Sequence, residues 1–152
     1  MNSFRQSIEM LVGKRPPAMQ VAAICLDTSG QNVLLITSRG TGRWVIPKGW
    51  PMSGKTLAQA AEIEAWEEAG VRGEVSTAAI GSYSYKKDQN RGFAIPVTAQ
   101  VYLLQVRDTA DQFPEMHQRR RQWFPLEQAA GLVAEPGLRA LFLRLAQKGA
   151  AA

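Results

Sequence analysis

Three glutamates, Glu64, Glu67 and Glu68, stand at i, i+3 and i+4 in a segment with the marks of a helix. At about 100° per residue, Leu57, Ala61, Glu64, Glu68 and Val71 fall on one stripe, with Ala60 and Glu67 flanking it. The face that should dock on the rest of the protein therefore turns acidic in its second half. Carboxylates so spaced repel by a few tenths of a kcal/mol per pair when exposed, and partial burial raises that cost. No Lys or Arg lies between Thr56 and Gly70. The compensating charge must come from another segment or from a bound cation. Hard oxygen ligands suit Mg²⁺ or Mn²⁺, ions that bind diphosphate oxygens and activate water. The same spacing also describes an exposed acidic face on an ordinary amphipathic helix.

The elements that must position these acids are legible around them. Thr56-Leu57-Ala58-Gln59 has the spacing of a capping box and Gly70 sits where a C-cap belongs, so the helix is predicted from Thr56 to Gly70. Ala18–Leu26 and Asn32–Thr37 read as strands about the turn Asp27-Thr28-Ser29-Gly30. Trp44-Val45-Ile46 is a short strand closed by Pro47, and Lys48–Lys55, with Gly49, Pro51 and Gly54, is predicted as a loop. Val75–Tyr85 and Phe93–Val106 read as β runs joined across Lys86–Gly92, with Pro96 weakening the second. Gln122-Trp123-Phe124 is a last short strand. Pro125 opens a helix through about Val133, and Glu135-Pro136 starts a final one with Leu138, Leu141, Phe142 and Leu145 on one face. Strands, helix, strands, helices imply a mixed sheet with helices packed against it.

The 152 residues form a single domain, with 1–17 as a lead-in and 18–148 as the folded unit. The single cysteine, Cys25, lies in an apolar run and reads as a core residue; one cysteine excludes an intramolecular disulfide and a Cys-rich zinc module. No stretch is apolar enough for a transmembrane helix and no signal peptide is visible, so the expected setting is cytoplasmic. The net charge of +5 is unevenly spread. Six basic residues precede Gly49 against only Glu9 and Asp27, and Lys86, Lys87, Arg91 and Arg119-Arg120-Arg121 follow. A basic balance fits an anionic partner, namely nucleic acid, a phosphorylated small molecule or a membrane surface.

Gly49 to Val71 resembles the signature of the Nudix hydrolases, G-x5-E-x7-R-E-U-x-E-E-x-G-U, where U is a bulky aliphatic. Gly49, Glu64, Glu67, Glu68, Gly70 and Val71 match in register, and Trp44-Val45-Ile46-Pro47 is similar to the family's preceding strand. Three positions depart: Lys55 stands for Glu, Ile63 for Arg, and Ala65 in the aliphatic slot. The first two remove one acid and one base together, so no orphan charge remains if those groups normally pair.

The resemblance implies an α/β fold, a Nudix-type α/β/α sandwich with a mixed sheet and a loop-helix catalytic box. It implies a divalent-metal-dependent pyrophosphohydrolase using Mg²⁺ or Mn²⁺. Glu64, Glu67 and Glu68 would be catalytic and metal-binding, the Lys48 carbonyl a further ligand, and Glu115 a late-loop acid completing the set. The general base would be Glu64, Glu68 or Glu115.

The Lys48-Gly49-Trp50-Pro51-Met52 run and Glu-Ala-Trp-Glu-Glu look similar to the branch acting on diphosphoinositol polyphosphates and diadenosine polyphosphates. Such substrates need cations, and Arg39, Arg43, Lys48, Lys86, Arg91, Arg119 and Arg121 are the candidates; Lys87 shares the hairpin tip. Arg suits bidentate phosphate contacts and Lys point-charge neutralisation. Tyr83, Tyr85 and Phe93 either stack on an adenine or pack within the sheet. The expected partner is a phosphorylated small molecule rather than DNA, RNA or a membrane. No aromatic RNA-binding pattern is present. The competing reading is a non-catalytic module that holds nucleotide or RNA.

Overall fold

The computed structural model describes residues 18–88 and 94–150. Eight strands form one mixed sheet: β1 (Ala18–Leu26), β2 (Asn32–Thr37), β3 (Trp44–Val45), β4 (Lys48–Gly49), β5 (Val71–Val75), β6 (Gly81–Asp88), β7 (Ala94–Thr109) and β8 (Arg121–Pro125). Among the described residues, three helices accompany it: α1 (Leu57–Ala69), α2 (Leu126–Leu132) and α3 (Pro136–Ala150). The main strand path runs β3-β2-β1-β7-β5; β4 also pairs with β1, β6 with β7, and β8 with β2. The centre is the parallel pair β1 and β7, in register from Ala18 with Val97 to Leu26 with Gln105. Its neighbours pair antiparallel.

Period-two alternation along β1 divides the core. Val21, Ala23 and Cys25 face α1, where Ala58, Ala61, Ala65 and Ala69 pack against them. Ala22, Ile24 and Leu26 face the opposite layer, built on Leu126, Leu138, Leu141 and Phe142 of α2 and α3. The sandwich expected from the sequence is present. Cys25 is wholly buried, and burial pushes its thiol up to about 12, so it behaves as a small core residue.

Three local expectations are corrected. Lys48-Gly49 is not loop: its backbone pairs with Ala22 and Val21 of β1, because the chain leaving Pro47 runs back along that strand. The single β run expected over Val75–Tyr85 is two strands, β5 and β6, separated at Ser76–Ile80; they pair with different stretches of β7. Pro96 does not interrupt β7, since it stands opposite Lys86 in a continuous ladder.

Candidate active site

The acid-bearing helix begins and ends by local rules. The Thr56 side chain accepts the Gln59 amide and the Gln59 side chain accepts the Thr56 amide, a complete capping box. Gly70 closes the helix at φ 66°, and its amide bonds the Trp66 carbonyl. The buried face of α1 is lined by alanines, so the helix lies close against the sheet. That closeness brings its acids down to the backbone of β4.

Glu68 is buried, with only 6% of its surface exposed, while Glu64 and Glu67 are half-buried. The Lys48 amide points at Glu68 Oε1 across 3.4 Å, a long contact. Gly49 has no side chain where one would collide with Glu64: a Cβ would stand 2.5 Å from Oε2 and 2.8 Å from Oε1. β-alternation sets this up, since Gly49 faces α1 and the Lys48 side chain faces the other layer. Burial pushes the Glu68 carboxyl up to about 9, a side-chain hydrogen bond with Glu64 adds to this, Arg119 opposes it, and the charges of Glu64 and Glu115 add again. Glu67 is raised too, by its own partial burial and by Glu64 and Glu115.

Glu115 joins this set. Its amide donates to the Glu67 carbonyl at 3.0 Å, which ties the β7–β8 connection to α1. The positive charge missing from α1 comes from Arg119, whose side chain is 10% exposed. Its Nε donates to Glu115 Oε1 at 2.9 Å, NH1 to the Thr37 carbonyl at 3.1 Å, and NH2 lies 3.6 Å from Glu68 Oε1. One guanidinium against Glu64, Glu67, Glu68 and Glu115 leaves the group rich in negative charge. The donor set is all hard oxygen, which fits a divalent cation. Among the described residues, however, no three acid, His or Cys side chains stand together as a ready ligand cage.

The expected cations divide. Arg119 is inside the acid group. Arg121 is part-buried and lies elsewhere than expected: its guanidinium donates to the Ala69 and Ala110 carbonyls, both at 2.7 Å, and lies 4.7 Å from the Phe113 ring centre. It clamps the C-terminal end of α1, where the carbonyls lack helical partners, and its donors are committed there. Arg39 and Arg43 are exposed near Thr41 and Gln118. Lys86 is exposed on β6. Arg91 and Phe93 lie outside the described residues. The Lys48 ammonium lies 5.2 Å from the Tyr85 ring centre, in the layer opposite α1.

Sequence reasoning placed Arg119 among the substrate cations and missed its pairing with Glu68 and Glu115; the missing charge on α1 was the signal that some cation had to come. It also missed Glu135, in the same layer as the Lys48 side chain. Burial holds the Lys48 ammonium below its ordinary value, and the charges of Glu135 and Glu68 oppose that.

The NUDIX domain family matches residues 16–145. The chain is 32% identical over 110 residues to the mitochondrial Nudix hydrolase 16 of Arabidopsis thaliana, covering 70% of this chain and 61% of that protein. It is 26% identical over 114 residues to diphosphoinositol polyphosphate phosphohydrolase 3-beta of Homo sapiens, covering 72% of this chain and 65% of that one. The chain thus spans roughly half to two-thirds of the length of the curated relatives it matches. Among solved structures, a NUDIX hydrolase from Nitrosomonas europaea superposes with a TM-score of 0.66 at 19% identity, covering 88% of this chain and 90% of that one. The dihydroneopterin triphosphate pyrophosphohydrolase of E. coli gives 0.65 at 15% identity, covering 86% and 95%. These two likenesses concern the fold.

Proposed function

The chain belongs to the Nudix family, and from that premise we propose that it is a divalent-metal-dependent pyrophosphohydrolase. Its substrate carries a diphosphate linkage: a nucleoside diphosphate joined to another group, a dinucleoside polyphosphate or a diphosphoinositol polyphosphate. The observation that carries this reading is that the acids of α1 come down on β4: Glu64 fills the space beneath Gly49, and buried Glu68 lies under the Lys48 amide. With Glu67 and Glu115 beside them, they form an excess of negative charge that one arginine does not balance.

Glu64, Glu67, Glu68, Glu115 and the Lys48 carbonyl would hold Mg²⁺ or Mn²⁺, whose chemistry is to draw electrons from diphosphate oxygens and acidify water. The chain's own residues do the rest. Thr56 and Gly70 fix the ends of α1, and Gly49 leaves room for the Glu64 carboxylate. Arg119 orients Glu115 and stands within reach of Glu68. One of Glu64, Glu68 and Glu115 takes the proton from the attacking water. Arg39, Arg43 and Lys86, exposed and uncommitted to structural carbonyls, offset the charge of the phosphates. No helix among the described residues is long and apolar enough to cross a membrane. With its only cysteine in the core, a cytoplasmic setting is part of this reading.

The test is turnover with Mg²⁺ and with Mn²⁺ across dinucleoside polyphosphates, nucleotide sugars, nucleoside triphosphates and inositol pyrophosphates, in the wild type and in Glu68→Gln. Cleavage that needs the metal and stops in the variant supports the reading. The open arrangement of the acids favours a second one, a module that binds polyanions without cleaving them. Salt-sensitive binding with no metal-dependent product anywhere in the panel would establish it instead.

A further inference from the structure

The C-terminal end of α1 is capped by a segment distant in the chain. A helix leaves its last carbonyls without partners. At α1 the Trp66 carbonyl takes the Gly70 amide. Three further carbonyls at that end turn to the connection between β7 and β8. Glu67 accepts the Glu115 amide at 3.0 Å, Gly70 the Ala110 amide at 2.8 Å, and Ala69 the Arg121 guanidinium at 2.7 Å. The two backbone bonds are blind to sequence, because every residue except proline has an amide to donate. They do not by themselves decide which residue of the connection meets Glu67.

Phe113 supplies that choice. Its half-buried ring occupies the space a side chain at Gly70 would need, since a Cβ there would stand 2.6 Å from Phe113 Cγ. The Arg121 guanidinium borders the same notch, 2.8 Å from that Cβ and 4.7 Å from the ring centre. Gly70 thus has two reasons to be glycine: its left-handed φ of 66° and the ring seated on it.

The link from the ring to the acids is short and stiff. Pro114 separates Phe113 from Glu115; its own φ is fixed, and it restricts the residue before it. The chain then turns at once, the Met116 amide donating to the Phe113 carbonyl at 3.2 Å and the Gln118 amide to the Glu115 carbonyl at 3.0 Å. Arg119 follows, held by Glu115 and by the Thr37 carbonyl. A slip of one residue against α1 would move Glu115 by about 3.5 Å, off the acids it stands beside.

We infer that Phe113 is a positioning residue of the acid group: seated on Gly70, it sets the register in which the β7–β8 connection docks on α1 and so places Glu115 beside Glu67 and Glu68. Its bearing on turnover rests on the hydrolase reading above; its bearing on the structure does not.

Two measurements on the full chain test it. The first is amide hydrogen exchange, followed by NMR without metal, in the wild type, Phe113→Ala and Phe113→Tyr, which keeps the ring. In Phe113→Ala the Glu115 amide should exchange about ten-fold faster or more, while the amides of the β1–β7 ladder keep their protection. Phe113→Tyr should restore most of the difference. The second is a double-mutant cycle on metal-dependent turnover with Glu115→Ala. Phe113→Ala alone should lose about ten-fold to a hundred-fold in kcat. Added to Glu115→Ala, it should change the remaining rate by less than about two-fold, because its effect passes through Glu115. Should Phe113→Ala fail to fold, Phe113→Leu takes its place with the same expectations. An unchanged Glu115 amide, equal acceleration throughout the ladder, or the same loss of kcat in both backgrounds would overturn the assignment. A wild type that turns over no diphosphate refutes the hydrolase reading instead, and the exchange comparison then decides the role of Phe113 alone.

Discussion

The Glu64 carboxylate occupies the space that any side chain at position 49 would need: a Cβ on Gly49 would sit 2.5 Å from its Oε2. Residue 49 has no left-handed φ to satisfy. The glycine is thus required by the acid opposite, not by the turn. This separates fold from chemistry at one position.

Gly49→Ala is accordingly expected to fold, because the carboxylate it strikes is the free end of a flexible side chain. It is expected to lose about a hundred-fold in metal-dependent turnover, the scale of a displacement of about 1 Å at a reacting centre. Circular dichroism against temperature and steady-state kinetics check the two halves. A variant that turns over normally would remove Glu64 from the assigned role.

Glu68 carries a pH signature. Its carboxyl is raised in the folded protein from 4.5 to about 9, so the folded state binds its proton more tightly than the unfolded one. The resulting stabilisation is complete below about pH 4.5 and is lost as pH rises toward 9. Metal-free protein should therefore lose stability across that window, and Glu68→Gln should show a flatter profile with a higher midpoint at pH 8. Turnover in Glu68→Gln should fall by at least about a hundred-fold. Chemical denaturation at several pH values and a rate assay test both.

Arg119 is the cation nearest the acids, at 2.9 Å from Glu115 and 3.6 Å from Glu68. Arg119→Met leaves these carboxylates facing each other with no cation between them. Removing one partner of a buried pair costs about 3 kcal/mol or more. The metal-free protein should lose stability on that scale, and saturating Mn²⁺ should restore more of it than it adds to the wild type. Denaturant midpoints with and without Mn²⁺ decide the matter.

Arg121 should behave differently although it stands two residues away. It holds the Ala69 and Ala110 carbonyls, and charged hydrogen bonds of this kind contribute about 1.5–3 kcal/mol each. Arg121→Met should lower the melting temperature by roughly 5–10 °C. Below the transition, KM for the diphosphate substrate should be unchanged. A raised KM with an unchanged melting temperature would return Arg121 to the substrate-binding set.

The capped helix from Thr56 to Gly70, its run of acids and the burial of Leu138, Leu141 and Phe142 were determined by residues at most a few positions apart. Caps act between i and i+3, and the helical stripe repeats every three to four residues, so such features are written locally. That is why the sequence alone yields the helix, the mixed sheet and the candidate trio. Tertiary structure decided what depends on segments far apart in the chain. It turned Lys48-Gly49 into a strand on β1, brought Arg119 and Glu115 to Glu68, assigned Arg121 to the end of α1, and buried Glu135 at the start of α3. Basic residues look alike in a linear string. Whether one meets a carbonyl, a carboxylate or solvent depends on strand register and on which layer its alternation faces, and long-range packing alone settles that.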